Sequence, residues 1–344
     1  MQSILPKLVS PLRYLVNDFQ CTWKKYSEKT PLTAVLCYHR IVKHARENKP
    51  YFNVEKGVTA QAFEAQMRFM RKHFSPVAAA DVRSPIGAAN ARLRFAVTFD
   101  DGYADNYHIA APILKKLGIP ATFYVVTDHV DGHKAFWWEQ LAQMIRATEL
   151  SSVRLTSLGG NISLRNMAEK EVAHRQLSEA LLTKPWVETP QLLANLANVL
   201  GVKVNAHKRD LALMTWTQIR DLASQGFDIG GHTASHINIE QAVDAVIAGE
   251  ITRSMATLQD KLQRCVTSFA YPYGKGSHNV VAIKALNNAG CSLAFSTGKR
   301  ICLAQDDPMA LPRFMLNKPW AFACAYNVDN AVNAAFNANR VHSG

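Results

Sequence analysis

Short apolar runs alternate with amphipathic stretches along most of this chain, and several runs stop abruptly at polar residues. "LTAVLCYHRI" (32–41) predicts a first strand ending in Tyr38 and His39. "AQAFEAQMRFMRKH" (60–73) has its apolar residues at helical spacing. "RFAVTF" predicts another strand, in which Phe95, Val97 and Phe99 alternate with smaller residues, and a helix follows from about Ala104 to Leu117. "ATFYVVT" (121–127) is the next strand. Strand, helix, strand with short connections is the signature of a parallel α/β layout.

The rhythm breaks from about 148 to 213. "TELSSVRLTSLGGNISLRN" reads as irregular strands or a hairpin, and "AEKEVAHRQLSEALLTKP" and "TPQLLANLANVLGV" read as helices. This mostly helical segment is expected to be an insertion beside the α/β unit, over its site. The rhythm then resumes with the helix "TWTQIRDLASQG", the strand "FDIGGHTASH", a helix from about 240 to 263, "VTSFAYPYG" stopping at Pro272, the helix "NVVAIKALNNAG" and the strand "CSLAFST". "NVDNAVNAAFNANR" predicts a closing helix. The expected organisation is an N-terminal segment (1–30), one α/β domain (31–325) containing the insertion, and a C-terminal helix and tail (326–344).

Composition narrows the class. The chain has 344 residues, 48% hydrophobic and 19% charged, as in a soluble globular protein. No run approaches the roughly 18 apolar residues of a membrane-spanning helix, and the N-terminus lacks the features of a secretory signal. Six scattered cysteines, with no Cys-x-x-Cys pair, read as reduced and mostly buried. A cytoplasmic location is therefore expected. The net charge is +12, and half of that excess lies in the first 50 residues, which hold nine Lys and Arg against three acids. There Ser10 and Pro11 suit a helix start, and Leu12, Leu15, Val16, Phe19 and Trp23 recur at helical spacing. Such a basic amphipathic helix suits either packing on its own domain or peripheral contact with anionic lipid at the inner membrane face. No nucleic-acid motif is present, so nucleic acid is not an expected partner.

The candidate chemistry sits at strand ends. The strand 94–99 runs into Asp100 and Asp101, followed by Gly102. Asp-Gly is a common turn dipeptide and Asp caps helices; the sharper reading has one carboxylate bind a metal while its neighbour handles a proton. His232 and His236 lie just beyond another strand, four residues apart. Each histidine alone suits a polar core or surface position, but two imidazoles and a carboxylate make a three-ligand site with one position open for water. Strand ends of this kind gather on one face of an α/β sheet or barrel. Pro272 and Gly274 either form a plain turn or aim backbone N–H groups into the site.

"TFDDG", "HTASH" and the Pro-Tyr-Gly of "YPYG" resemble successive motifs of the polysaccharide deacetylase, or NodB-homology, family over about residues 32–320. Early "YHRI" and late "LPRF" resemble the branch found in bacterial exopolysaccharide and cell-envelope loci. The resemblance implies a distorted (β/α) barrel, of seven parallel strands, and metal-dependent hydrolysis of an N-acetyl group, sometimes an N-formyl group, on an amino sugar. It implies that Asp101, His232 and His236 bind one divalent ion, Zn²⁺ before Co²⁺, Mn²⁺ or Ni²⁺, with Asp100 as general base and the Tyr273 N–H at the oxyanion. Two departures stand out. Where many relatives carry the arginine of Arg-x-Pro-Tyr, this chain has Ala270, and no clear Leu-x-His supplies the acid. By resemblance to the same branch the acid is assigned to His39, and Arg313 of "LPRF" is the candidate to replace the missing arginine. Trp137, Trp138, Trp216 and Tyr273 are candidates to line a sugar groove, although Trp216 lies in a helix where core packing is its ordinary use. The competing readings are a same-fold hydrolase of another C–N bond, a sugar- or metal-binding homologue without turnover, and a basic membrane-surface adaptor. Intact Asp100 speaks against a mere binding protein, which would need no base.

Overall fold

The computed structural model describes residues 32–44, 57–84, 94–132, 135–155, 160–203, 213–298 and 300–316. The basic segment 1–30 and the expected C-terminal helix lie outside the described residues. Among the described residues, no helix is long and apolar enough to cross a membrane.

The chain opens with β1 (Leu32–Tyr38), a short β2 (Arg40–Val42) and β3 (Gly57–Thr59), then α1 (Ala60–His73). Thr59 caps α1 by accepting from the Ala62 N–H. After β4 (Ser75–Pro76) comes β5 (Arg94–Phe99). The helix after β5 begins at Ala104, passes through a π-helical stretch, Asn106–Ala110, and continues as α2 (Ala111–Leu117), which stops at a left-handed Gly118. β6 (Ala121–Val125) and α3 (Trp137–Ala147) follow. The insertion consists of a hairpin, β7 (Ser152–Leu155) and β8 (Gly160–Ser163), and two helices, α4 (Met167–Leu182) and α5 (Thr189–Val199). The α/β rhythm resumes with α6 (Trp216–Ser224), β9 (Asp228–Gly231), α7 (Asp244–Leu262), β10 (Ser268–Ala270), α8 (Val280–Asn288) and β11 (Leu293–Phe295). Two short strands end the described chain, β12 (Cys302–Leu303) and β13 (Phe314–Met315).

The main sheet runs β11-β10-β9-β6-β5-β1-β12, with β4 added to β5 and β13 to β1. It is a curled half-barrel of seven mostly parallel strands. The exception to the expected parallel set is β12, which pairs antiparallel with β1. β1 and β5 are buried along their whole length, as parallel strands covered on both faces must be. Their side chains divide by the two-residue period. Leu36, Tyr38, Phe95, Val97 and Phe99 join the main core under the helices, with Phe63, Met67, Leu114, Ile251 and Met255. Val35 and Ala96 face the concave side, with Tyr124, Ala270, Phe295 and Leu311. The glycine pair in "FDIGGH" has a steric reason. A Cβ on Gly230 would lie 2.3 Å from the Tyr124 ring, and one on Gly231 would lie 2.6 Å from the Met255 sulfur.

The gap between β11 and β1 is bridged by the segment 308–316. The Ala294 N–H donates to the Pro308 carbonyl and the Ser296 N–H to that of Leu311, while the Leu316 N–H donates to the Cys37 carbonyl. β13 pairs with β1 through Leu36 and Cys37. This span carries Arg313 across the concave side of the sheet.

The insertion has an apolar cluster of its own. Val153, Ile162, Leu177, Leu181, Leu193 and Leu196 pack with Leu141 and Ile145 of α3.

Candidate active site

The period of two that fills the concave core with Val35 and Ala96 also delivers the polar groups at the strand ends. Cys37 and His39 continue the concave face of β1, as Thr98 and Asp100 continue that of β5. Tyr38 pairs with Phe99 in register, so the two strands release their polar residues at one level. A ring nitrogen of His39, the Cys37 sulfur and an Asp100 oxygen lie within 4.8 Å of one another.

Arg313 grips Asp100. Its two Nη atoms donate to the two carboxylate oxygens, each at 2.7 Å. One Nη also donates to the Thr98 hydroxyl at 3.1 Å and Nε donates to the Ser296 carbonyl at 3.2 Å. The guanidinium lies 5.6 Å from the Tyr124 ring centre and 6.0 Å from that of Phe295, and Arg313 is fully buried. A planar fork on a carboxylate is the arrangement for which arginine is suited and lysine is not. The Cys37 thiol adds a contact at 3.3 Å to the second oxygen. Burial by itself would raise the Asp100 pKa, but Arg313, with His232 and His39 nearby, holds it at about 2. The same burial pushes the Cys37 thiol well above its ordinary value.

Asp101 turns the other way. Its φ of 76° is left-handed, unusual for a residue with a Cβ. The turn sets its carboxylate against the His232–His236 loop, where Thr233 and His236 are also left-handed, at φ 62° and 60°. Strain of this kind collects where function fixes geometry. Asp101 Oδ1 lies 3.6 Å from His232 Nε2 and 3.3 Å from His236 Nε2. All three side chains are buried, and Oδ1 accepts no hydrogen bond. His232 Nδ1–H donates to the Ala270 carbonyl at 2.7 Å, which leaves the Nε2 lone pair pointing at Asp101. A buried oxygen with no donor, facing two imidazole nitrogens, fits the donor set of a three-ligand divalent-metal site.

Tyr273 sits in the turn Pro272–Gly274 with φ 59°. Its ring meets His236 edge-on at 4.8 Å, and its hydroxyl accepts from Trp137 Nε1 at 2.9 Å. Trp138 packs on His236 at 4.9 Å. Trp216, partly buried, packs against the main core instead.

Below Trp138, the buried Glu139 accepts from the Tyr103 hydroxyl at 2.6 Å, and the Arg40 guanidinium lies 5.0 Å over the Tyr103 ring. Burial raises the Glu139 pKa from 4.5 to about 7, although Tyr103 and Arg40 oppose the shift. The folded protein therefore holds a proton that the unfolded chain releases, and stability falls as pH rises from about 4.5 to 7. Glu139→Gln should stabilise the protein at pH 8, by on the order of 2–3 kcal/mol, with little gain at pH 4.5. Thermal melts at the two pH values measure the difference.

The polysaccharide deacetylase family model matches residues 87–152 and 186–294. The chain belongs to the polysaccharide deacetylase family. Two solved structures share the fold of this polysaccharide deacetylase-family chain. The Streptococcus pyogenes deacetylase PplD, solved in complex with acetate, is 19% identical, with 83% of this chain and 93% of that one covered and a TM-score of 0.55. IcaB from Ammonifex degensii is also 19% identical, with 87% and 97% covered and a TM-score of 0.53. A 38-residue stretch is 53% identical to YxkH of Bacillus subtilis strain 168 and covers 11% of this chain and 13% of YxkH.

Every expected site residue of this family member lies within the described residues. Asp100, Arg313 and His39 form one group, Asp101, His232 and His236 another, and Tyr273 borders the second through His236. Sequence reasoning passed over Cys37 and Thr98, which touch Asp100 and Arg313. Their signal was their place, each on a buried strand two positions before a site residue and so on the same face of the pleat. It also passed over the Glu139–Tyr103 pair, which no local pattern marks. Of the described cysteines, Cys37, Cys291 and Cys302 are buried and Cys265 is exposed.

Proposed function

We propose that the protein is a metal-dependent hydrolase that removes N-acetyl groups from the amino sugars of a polysaccharide or its lipid-linked precursor. The observation that carries this reading is the pairing of two differently prepared aspartates at one strand end. Asp100 is clamped by Arg313, and Asp101 faces His232 and His236 with a bare oxygen.

Asp101, His232 and His236 would hold the ion, and two imidazoles with one carboxylate suit Zn²⁺. A bound ion supplies Lewis acidity for the amide carbonyl and favours ionisation of water. Asp100, ionised throughout the physiological range, accepts the proton of the attacking water. Arg313 occupies one direction on each of its oxygens, and a carboxylate with about four acceptor sites keeps room for that proton. The Tyr273 N–H stabilises charge on the amide oxygen. His39 returns a proton to the leaving amine, a task for a group that titrates near neutrality. The basic segment 1–30 would favour encounter with a lipid-linked sugar at an anionic surface.

The deciding experiment measures bound metal and acetate release from acetylated chito-oligosaccharides before and after chelation. Stoichiometric metal with release that chelation abolishes and metal restores is the expected result. Metal without acetate, but with formate released from a formylated sugar, would replace the acetyl assignment. Neither metal nor release would reject the hydrolase. His39→Ala should lower turnover by about 100-fold or more with metal content unchanged, measured at a temperature where circular dichroism shows the variant folded. Near-normal turnover would remove His39 from the acid role.

A further inference from the structure

The loop that carries His232 and His236 is held by residues to which the proposed reaction gives no part. Thr233 and His236 have φ of 62° and 60°, a conformation that residues with a Cβ avoid and that persists only where the surroundings over-determine it. The peptide unit between Ala234 and Ser235 lies between these two left-handed residues, and both of its polar ends are tied. The Ala234 carbonyl accepts the Asp128 N–H at 2.9 Å. The Ser235 N–H donates to a Glu250 carboxylate oxygen at 2.7 Å.

The two ties are themselves joined. Arg253 donates to the Asp128 carboxylate and, at 2.8 Å, to the other Glu250 oxygen. Asp128 stands in the short helical turn Thr127–Gly132 that follows β6. Glu250 and Arg253 stand three positions apart on α7, where Ile247, Ile251, Ser254 and Met255 are buried. The helix that presents Glu250 is thus anchored in the main core. The Glu250 side chain is 11% exposed and that of Arg253 is 51% exposed.

An ion pair as open as that of Arg253 contributes little to stability, so it does not account for a carboxylate at position 250. The bond to Ser235 does. A carboxylate accepts a backbone N–H more strongly than a neutral group, and this N–H belongs to the residue before His236. His232 is oriented separately, by its Nδ1–H on the Ala270 carbonyl. A flip of the Ala234–Ser235 peptide would give up both ties and turn the backbone that enters His236, whose Nε2 lies 3.3 Å from Asp101 Oδ1. We propose that Glu250 is a positioning residue of the metal centre, which fixes the Ala234–Ser235 peptide and so keeps His236 Nε2 directed at Asp101. This inference rests on the metal-dependent reading above.

The test measures the zinc dissociation constant of the full chain by competition with a chromophoric chelator. Wild type, Glu250→Ala, Glu250→Gln and Arg253→Ala are compared at a temperature where circular dichroism shows each metal-free protein folded. Glu250→Ala should weaken zinc by about 10–100-fold, the usual effect of removing a group that orients a ligand. Arg253→Ala leaves the Glu250 bond to Ser235 in place and should stay within about fivefold of wild type, as for an exposed ion pair. Glu250→Gln keeps the shape of the side chain but sets an uncharged amide against the Ser235 N–H, and should lose about three- to tenfold; it carries the test alone if Glu250→Ala does not fold. The visible absorption of the Co²⁺-loaded proteins, which reports ligand geometry, should change in Glu250→Ala and not in Arg253→Ala. A Glu250→Ala protein, or failing that a Glu250→Gln protein, that binds zinc as tightly as wild type would overturn the inference and leave the metal centre standing. Equal losses in Glu250→Ala and Arg253→Ala would overturn it too, because the ion pair and not the peptide contact would then hold the loop. A wild type that takes up no zinc would remove the metal-dependent reading, and this inference with it.

Discussion

Asp100→Asn is expected to cut acetate release by about 10²–10⁴-fold, the usual contribution of a positioned acid or base, while metal binding persists. The asparagine keeps the shape of the side chain and one oxygen for Arg313, but its amide takes no proton at neutral pH. The proposed metal ligands Asp101, His232 and His236 are untouched, so metal content should stay at the wild-type level. The variant also leaves the buried Arg313 without its counter-charge, at a cost of up to about 3–5 kcal/mol. Turnover must therefore be measured at a temperature where circular dichroism shows the variant folded. Folded, metal-loaded and fully active protein would remove Asp100 from the base role.

Arg313→Ala carries the second large effect, and it works through Asp100. The substitution strands a carboxylate that is almost completely buried, and breaking such a pair costs about 3–5 kcal/mol. In the wild type the Asp100 pKa falls from 3.8 to about 2 on folding. Its contribution to stability is therefore fully present above about pH 4 and is lost as pH falls toward 2. Without Arg313, burial raises the pKa unopposed, so ionising Asp100 at neutral pH becomes a cost of folding. Urea unfolding at pH 4 and pH 7 should show the variant losing most at pH 7, and the acid limb of its rate profile should move upward. Arg313→Lys restores the charge but not the fork, and an intermediate result is expected. A variant with unchanged stability and pH profile would show that the buried fork does not control Asp100.

Much of the fold was legible because its strands obey local rules. The run 94–99 reads as a strand and is one, and α1 spans the residues its periodicity gave, Ala60–His73. The helix 111–117 also lies where it was expected, although the π-helical stretch before it carries no pattern of its own. Register and sheet order were not readable. The antiparallel entry of β12 depends on a return of the chain after residue 303 that leaves no periodic trace. The spacing of His232 and His236 suits a helix or a tight loop equally, and the loop is chosen by left-handed turns at Thr233 and His236, which sequence marks only when glycine occupies them.

The sequence by itself determined the apolar strands, the amphipathic helices between them and the presence of Asp100, Asp101, His232 and His236 just beyond strand ends. The reason is local: pleat and helix periods are set by neighbouring residues, and parallel strands bring their ends to one rim. Only the tertiary structure placed Arg313, a candidate in the sequence, against Asp100. Arg313 lies 213 positions from Asp100, and it arrives because the segment 308–316 bridges β11 and β1 across the concave face. The hydrogen bond from Trp137 to Tyr273 is likewise made by packing, of the start of α3 against the turn Pro272–Gly274. Such contacts join residues far apart in the chain, and their geometry follows from the shape of the whole core rather than from any window of sequence.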